Sequence, residues 1–106
     1  MKEINEETVM SLILNAGNAR TYAIEALRSA RNGNFKEAEN LIENSEDAMN
    51  EAHIIQTEMI QNELKGVKAE LNLLEVHAQD HVMNAMTVYD LAKEIILMLK
   101  EKNNNA

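Results

Sequence analysis

The sequence predicts an all-α fold, an antiparallel up-down-up bundle of three helices. Of its 106 residues 45% are hydrophobic but only 3% aromatic, and there is no Pro. The core must therefore come from Leu, Ile, Val, Ala and Met, a mixture that favours helices over strands. Apolar residues recur at helical spacing through three long stretches. Gly33 and Gly66 fall between these stretches, and connections that short imply antiparallel neighbours. The length fits one domain, 1–106, with a core of modest size.

Helix one is expected over about 6–32. Asn5 can cap it, and Glu6 and Glu7 suit the positive end of the helix dipole. Val9, Ile13, Ala16, Ala23, Leu27 and Ala30 lie on one face, and the alanines let a neighbouring helix come close. Arg28 and Arg31 favour the negative end of the dipole, and Gly33 reads as the stop because it accepts a positive φ. Helix two is expected over about 35–62, with Asn34 as N-cap and Glu37 completing a variant capping box. Its inner stripe is Phe35, Ala38, Ile42, Ser45, Met49, Ala52, Ile55 and Met59, and Gly66 is its break.

Helix three is expected over about 68–102, followed by a frayed tail at 103–106. It carries more apolar surface than two neighbours need. One stripe is Leu74, Ala78, His81, Ala85, Val88, Ala92, Ile95 and Leu99. A second is Leu73, Val76, Asp80, Met83, Thr87, Leu91 and Ile95. A helix apolar over so wide an arc is buried on more than one side, so self-association through it is expected.

The formal net charge is −8, which opposes binding to phosphate backbones, so no nucleic-acid partner is expected. There is no Cys, hence no disulfide and no thiolate chemistry. With no apolar run of membrane-spanning length and no signal peptide in MKEINEET, a cytoplasmic location is expected.

The segment Val76-His77-Ala78-Gln79-Asp80-His81 concentrates the chemistry. His77 and His81 lie one helical turn apart on the same face. Three readings fit. In the first they are core residues, although an ionised Asp80 in an apolar stripe then needs a partner. In the second they bind zinc, but the metalloprotease pattern needs Glu where Ala78 stands, and only His53 remains as a third imidazole. In the third, neutral imidazole attacks a phosphoryl group, holds it and releases it. His81 and the amide of Gln79 would then support His77, with Gln79 pointing away from His77 towards a docking partner. Spacing alone does not choose among these.

The run Val76-His77-Ala78-Gln79-Asp80-His81-Val82-Met83 resembles the signature of the lactose/cellobiose-class enzyme IIA subunits of the bacterial sugar phosphotransferase system. Gly17-Asn18-Ala19-Arg20, Gly33-Asn34-Phe35 and Asn50-Glu51-Ala52-His53-Ile54-Ile55-Gln56-Thr57 match in the same order, so the resemblance spans nearly the whole chain. It implies a three-helix subunit that assembles as a homotrimer. It implies that His77 accepts a phosphoryl group from the histidine-containing phosphocarrier protein and passes it to a cysteine of enzyme IIB, which serves the membrane permease enzyme IIC in uptake of a β-linked disaccharide. It implies that Asp80 from each subunit meets a divalent cation on the threefold axis, where oxygen ligands suit magnesium or another hard cation. Two positions depart from the pattern. Glu75 stands where relatives generally carry an apolar residue, and Gln61 to Glu70 lacks a Gly-rich character. His53 reads as a partly buried residue at a helix edge. Arg20 reads either as an anion-attracting residue or as an interface or surface residue, and the sugar is not readable. A helical adaptor would explain the bundle but gives no reason for His77 or Asp80.

Overall fold

The computed structural model describes residues 6–66 and 72–104. Three helices follow in order: α1 over Glu6–Arg31, α2 over Phe35–Leu64 and α3 over Leu73–Asn104. The expected cap Asn5, the expected first turn of helix three from Lys68, and the tail residues Asn105 and Ala106 lie outside the described residues.

The α1–α2 turn forms as local rules dictate. The Asn34 amide donates to the Ser29 carbonyl at 2.9 Å and the Gly33 amide to the Ala30 carbonyl at 3.0 Å. This is a Schellman closure, and Gly33 takes the φ of 83° that it requires. Asn34 then caps α2, its Oδ1 accepting from the Glu37 amide at 3.4 Å while its Nδ2 donates to Glu37 Oε2 at 2.7 Å. Gly66 ends α2 with a φ of 86°.

The third helix needs two corrections. It begins at Leu73, and the Glu75 amide donates to Asn72 Oδ1 at 2.9 Å, so Asn72 is its cap. At the other end Asn103 and Asn104 remain helical rather than frayed.

The core is thin and alanine-rich. Ala16, Ala19, Ala23, Ala26 and Ala30 form a continuous buried line on α1, joined by Val9 and Leu12. Without bulky side chains on that line, α2 and α3 both pack close against α1, and they touch each other less. Ser45 is fully buried, and its hydroxyl donates to the Ala19 carbonyl at 2.7 Å, a contact that the small Ala side chains permit. One cluster joins Leu12, Met49, Ala52, Met59, Ala78, Val82 and Ala85, and a second joins Ala26, Ala30, Ala38 and Ile96 at the opposite end. An ion pair from Lys100 to Glu39 ties the end of α3 to the start of α2, as antiparallel neighbours require.

On α3 the buried line is Ala78, Val82, Ala85, Ala92 and Ile96. Val82 and Ile96 thus take the central places expected for His81 and Ile95. The second expected stripe is turned away from both partners: Leu73, Val76, Asp80, Met83, Thr87, Leu91 and Ile95 are all exposed, Leu73 by 85%. Met98 continues the row. A single bundle leaves this apolar seam uncovered along the length of α3.

Candidate functional site

The site sits on the early turns of α3, held from behind by fully buried Ala78 and Val82. Those two anchor the inner face against α1 and α2 and so fix where the outer positions point. His77 is exposed and His81 half-buried. Their Nε2 atoms are 3.0 Å apart, a hydrogen-bond distance, and the rings meet edge-on at 89° with centroids 4.4 Å apart. The i,i+4 spacing brings them together, as the sequence implies.

Gln79 lies elsewhere. Its Oε1 accepts from Gln56 Nε2 at 2.8 Å, and its Nε2 donates to the sulfur of Met59 at 3.7 Å. It therefore faces α2 rather than a docking partner, and it braces the helix that carries His77. Asp80 is exposed on the apolar seam, with Asn84 Nδ2 donating to its Oδ2 at 3.3 Å. His53 is exposed rather than partly buried, and Arg20 is exposed too.

Glu75, one turn before Gln79, has its carboxyl pKa raised from the ordinary Glu value. Burial at the α2–α3 junction is the larger cause, and the nearby Glu63 carboxylate adds to it. The position is legible as unusual in the sequence, but its pairing with Glu63 is not, because it depends on how two helix ends meet.

Chemically, the pair offers an exposed imidazole nucleophile with a second imidazole at hydrogen-bond distance. Among the described residues of one chain, no group of three or more His, Cys, Asp or Glu side chains is placed to hold a metal ion. Any ion at Asp80 would need donors from further copies. Among the described residues no helix is long and apolar enough to cross a membrane.

Comparison with known proteins adds the family. Residues 7–100 match the family described as the lactose/cellobiose-specific IIA subunit of the phosphotransferase system. The lichenan-specific phosphotransferase enzyme IIA component of Bacillus subtilis is 48% identical over 96 residues, covering 91% of this chain and 87% of that protein. The N,N'-diacetylchitobiose-specific EIIA component of Escherichia coli K12 is 43% identical over 91 residues, covering 86% of this chain and 78% of that one. The crystal structure of the cellobiose-specific enzyme IIA from Bacillus anthracis superposes with a TM-score of 0.93 at 45% identity, covering 100% of this chain and 97% of the other. The Escherichia coli IIA(chitobiose), solved in complex with HPr, superposes with a TM-score of 0.81 at 38% identity, covering 96% and 99%. With this span of matched sequence, and a fold shared over its whole length, the chain belongs to the lactose/cellobiose-specific IIA subunits of the phosphotransferase system.

Proposed function

We propose that this chain is a phosphoryl carrier in which His77 accepts a phosphoryl group from the histidine-containing phosphocarrier protein HPr and passes it to a cysteine of enzyme IIB, in the cytoplasm, during uptake of a β-linked disaccharide through enzyme IIC. The observation that carries this reading is the exposed His77 ring, paired with His81, on a chain that superposes on a IIA subunit solved together with HPr. A carrier histidine must be open to two partners in turn, and His77 is open while its helix is anchored from behind by Ala78 and Val82. The relatives' names point to cellobiose, chitobiose and lichenan-derived sugars as the substrate class.

The same reading accounts for the uncovered seam of α3. Three copies joined along Leu73, Val76, Met83, Leu91, Ile95 and Met98 would bury it and bring three Asp80 carboxylates together. Like charges at one axis repel, and a divalent cation, magnesium foremost, removes that repulsion. The ion would supply charge neutralisation and no step of the transfer. Asp80 fits such a role in its oxygen chemistry and in its place on the seam, with Asn84 orienting one carboxylate oxygen.

The formal charge of −8 suits docking to partners of basic character, with association that weakens as salt rises. The test is reconstitution of the relay: phosphoenolpyruvate, enzyme I, HPr, this chain and purified enzyme IIB. Label should reach IIB with the wild-type chain and stop at HPr with His77→Ala. Equal labelling of IIB with both proteins, or none with either, contradicts the carrier reading. A non-catalytic adaptor passes no label in either case.

A further inference from the structure

We propose that Gln56, on α2, is a positioning residue for the transfer: through the amide of Gln79 it fixes the rotation of α3 about its own axis and so keeps the His77 ring turned outward to its partners. This rests on the carrier reading above. Gln56 acts through α3 and not by contact with the phosphoryl group.

His77 and Gln79 are two positions apart, so they stand on nearly opposite flanks of α3, about 160° apart round the helix. Any turn of α3 that draws Gln79 away from α2 swings His77 through the same angle. With side chains reaching about 5–6 Å from the axis, a turn of about 10° displaces a ring by about 1 Å. A misplacement of about 1 Å at a reacting group can cost about a hundredfold in rate.

Apolar packing alone leaves this rotation soft. Ala78, Ala85 and Ala92 are fully buried. They belong to the observed inner line with Val82 and Ile96, and equally to the stripe of Leu74, His81, Val88 and Leu99, whose centre lies roughly 50° away round the helix. The alanine line of α1 favours the observed setting, but it meets α3 through methyl groups, which have no preferred direction. Leu74, Val88 and Leu99 are only half-buried, so burial of apolar area draws α3 towards the stripe. A turn that way carries Gln79 off α2 and moves His77 towards the half-buried flank that His81 now occupies.

The amide opposes that turn. Gln56 Nε2 donates to Gln79 Oε1 at 2.8 Å, and Gln79 Nε2 donates to the Met59 sulfur at 3.7 Å. Gln56 and Met59 are one turn apart on α2, so one face of that helix holds both ends of the Gln79 amide. Met59 is itself buried in the cluster that contains Leu12 and Val82. Helix α2 is a firm reference, because the Ser45 hydroxyl ties it to the Ala19 carbonyl of α1 at 2.7 Å. Hydrogen bonds depend on direction where apolar contacts do not, and a satisfied polar network selects one arrangement of a core. The ion pair of Lys100 with Glu39 is exposed and lies at the other end of α3, so it constrains the site end little.

The experiment compares wild type with Gln56→Met, with Gln56→Met plus Gln79→Met, and with Gln56→Lys plus Gln79→Glu. Met keeps the unbranched shape and removes the hydrogen bond. The Lys and Glu pair restores a donor on α2 and an acceptor on α3. Two quantities are read, with melting temperatures alongside. The first is the rate of His77 modification by diethyl pyrocarbonate relative to exposed His53, by tandem mass spectrometry, on chains that have met no HPr. The second is the rate of loading by phosphorylated HPr across a range of its concentrations. The expected result is a lower His77 ratio in both Met variants and a maximal loading rate lower by about a hundredfold, as for a misplacement of about 1 Å. The half-saturating concentration of HPr should change little, the double Met variant should load slowly while melting near wild type, and the Lys and Glu pair should restore ratio and rate. Met variants with a wild-type ratio and rate overturn the proposal. Slow loading with an unchanged His77 ratio overturns it too, since the ring would not have moved. If the wild type takes up no phosphoryl group while the ratio behaves as expected, the carrier reading falls and the control of His77 orientation by Gln56 stands.

Discussion

Gln79 accepts a hydrogen bond from Gln56 across the α2–α3 interface at 2.8 Å, two residues along the chain from the histidine that carries the proposed chemistry. Helices α2 and α3 pack mainly against α1, so this amide pair is a direct link between them at the site end, as Glu39 and Lys100 are at the other. Replacing Gln56 alone by Leu leaves a half-buried amide oxygen without that donor, at a cost of about 1–3 kcal/mol. Replacing both residues by Leu removes the unmatched group and is expected to recover much of that loss. Urea unfolding of Gln56→Leu, Gln79→Leu and the double variant measures it. Strictly additive losses would show that the two amides do not interact.

A second expectation concerns Ser45. Its side chain is fully buried, and its hydroxyl donates to the Ala19 carbonyl. Ser45→Ala keeps the close approach of α1 and α2 and loses one hydrogen bond, worth about 1 kcal/mol. Ser45→Leu must instead force the helices apart and is expected to cost about 1–3 kcal/mol through overpacking. Thermal unfolding should rank wild type above Ala and Ala above Leu. A Leu variant as stable as wild type would mean that the interface has room the fold does not indicate.

The Glu75 carboxyl gives a pH dependence with a definite sign. Its folded pKa is raised above the unfolded value, so the fold favours the protonated form. Its contribution is most favourable below the unfolded pKa, declines as pH rises towards the folded pKa, and is level above that. Glu75→Gln should therefore raise the melting temperature at neutral pH and have little effect near pH 4, while Glu63→Gln should give a smaller gain of the same sign. Melting curves across pH test this, and a Glu75→Gln variant less stable than wild type at neutral pH would contradict it.

The uncovered seam of α3 predicts assembly. Sedimentation at micromolar concentration should give a mass of three chains for the wild type. Met83→Lys with Leu91→Lys should reduce it to one, because each charge would have to be buried without a partner. Asp80→Leu should keep the trimer, since an apolar side chain removes the carboxylate repulsion without a cation. A wild type that sediments only as monomer rules out the seam as a self-association surface.

Much of this architecture is legible in local sequence. Gly33, Asn34 and Glu37 announce the α1–α2 turn because turn and cap geometry depends on neighbours in the chain. The inner stripes of α1 and α2 follow from spacing, and the surplus stripe of α3 proves to be an exposed row. What is less legible depends on partners far along the chain. The sequence before Leu73 is compatible with helix by propensity, which hides the cap at Asn72. The phase of α3 is ambiguous because apolar residues cover so much of it, and the alanine line of α1 decides in favour of Val82 and Ile96. At the site, His77 and His81 are brought together by one helix and are readable as a pair. Gln79 is not readable, because its partners Gln56 and Met59 are on another helix.

The central claim is that one imidazole per chain holds the phosphoryl group. The most direct measurement is intact mass under mildly alkaline conditions, after incubation with phosphoenolpyruvate, enzyme I and HPr. The expected result is one acid-labile phosphoryl group on the wild type and on His53→Ala, and none on His77→Ala. Undiminished occupancy in His77→Ala, or loss of the group in His53→Ala with His77 intact, would contradict it.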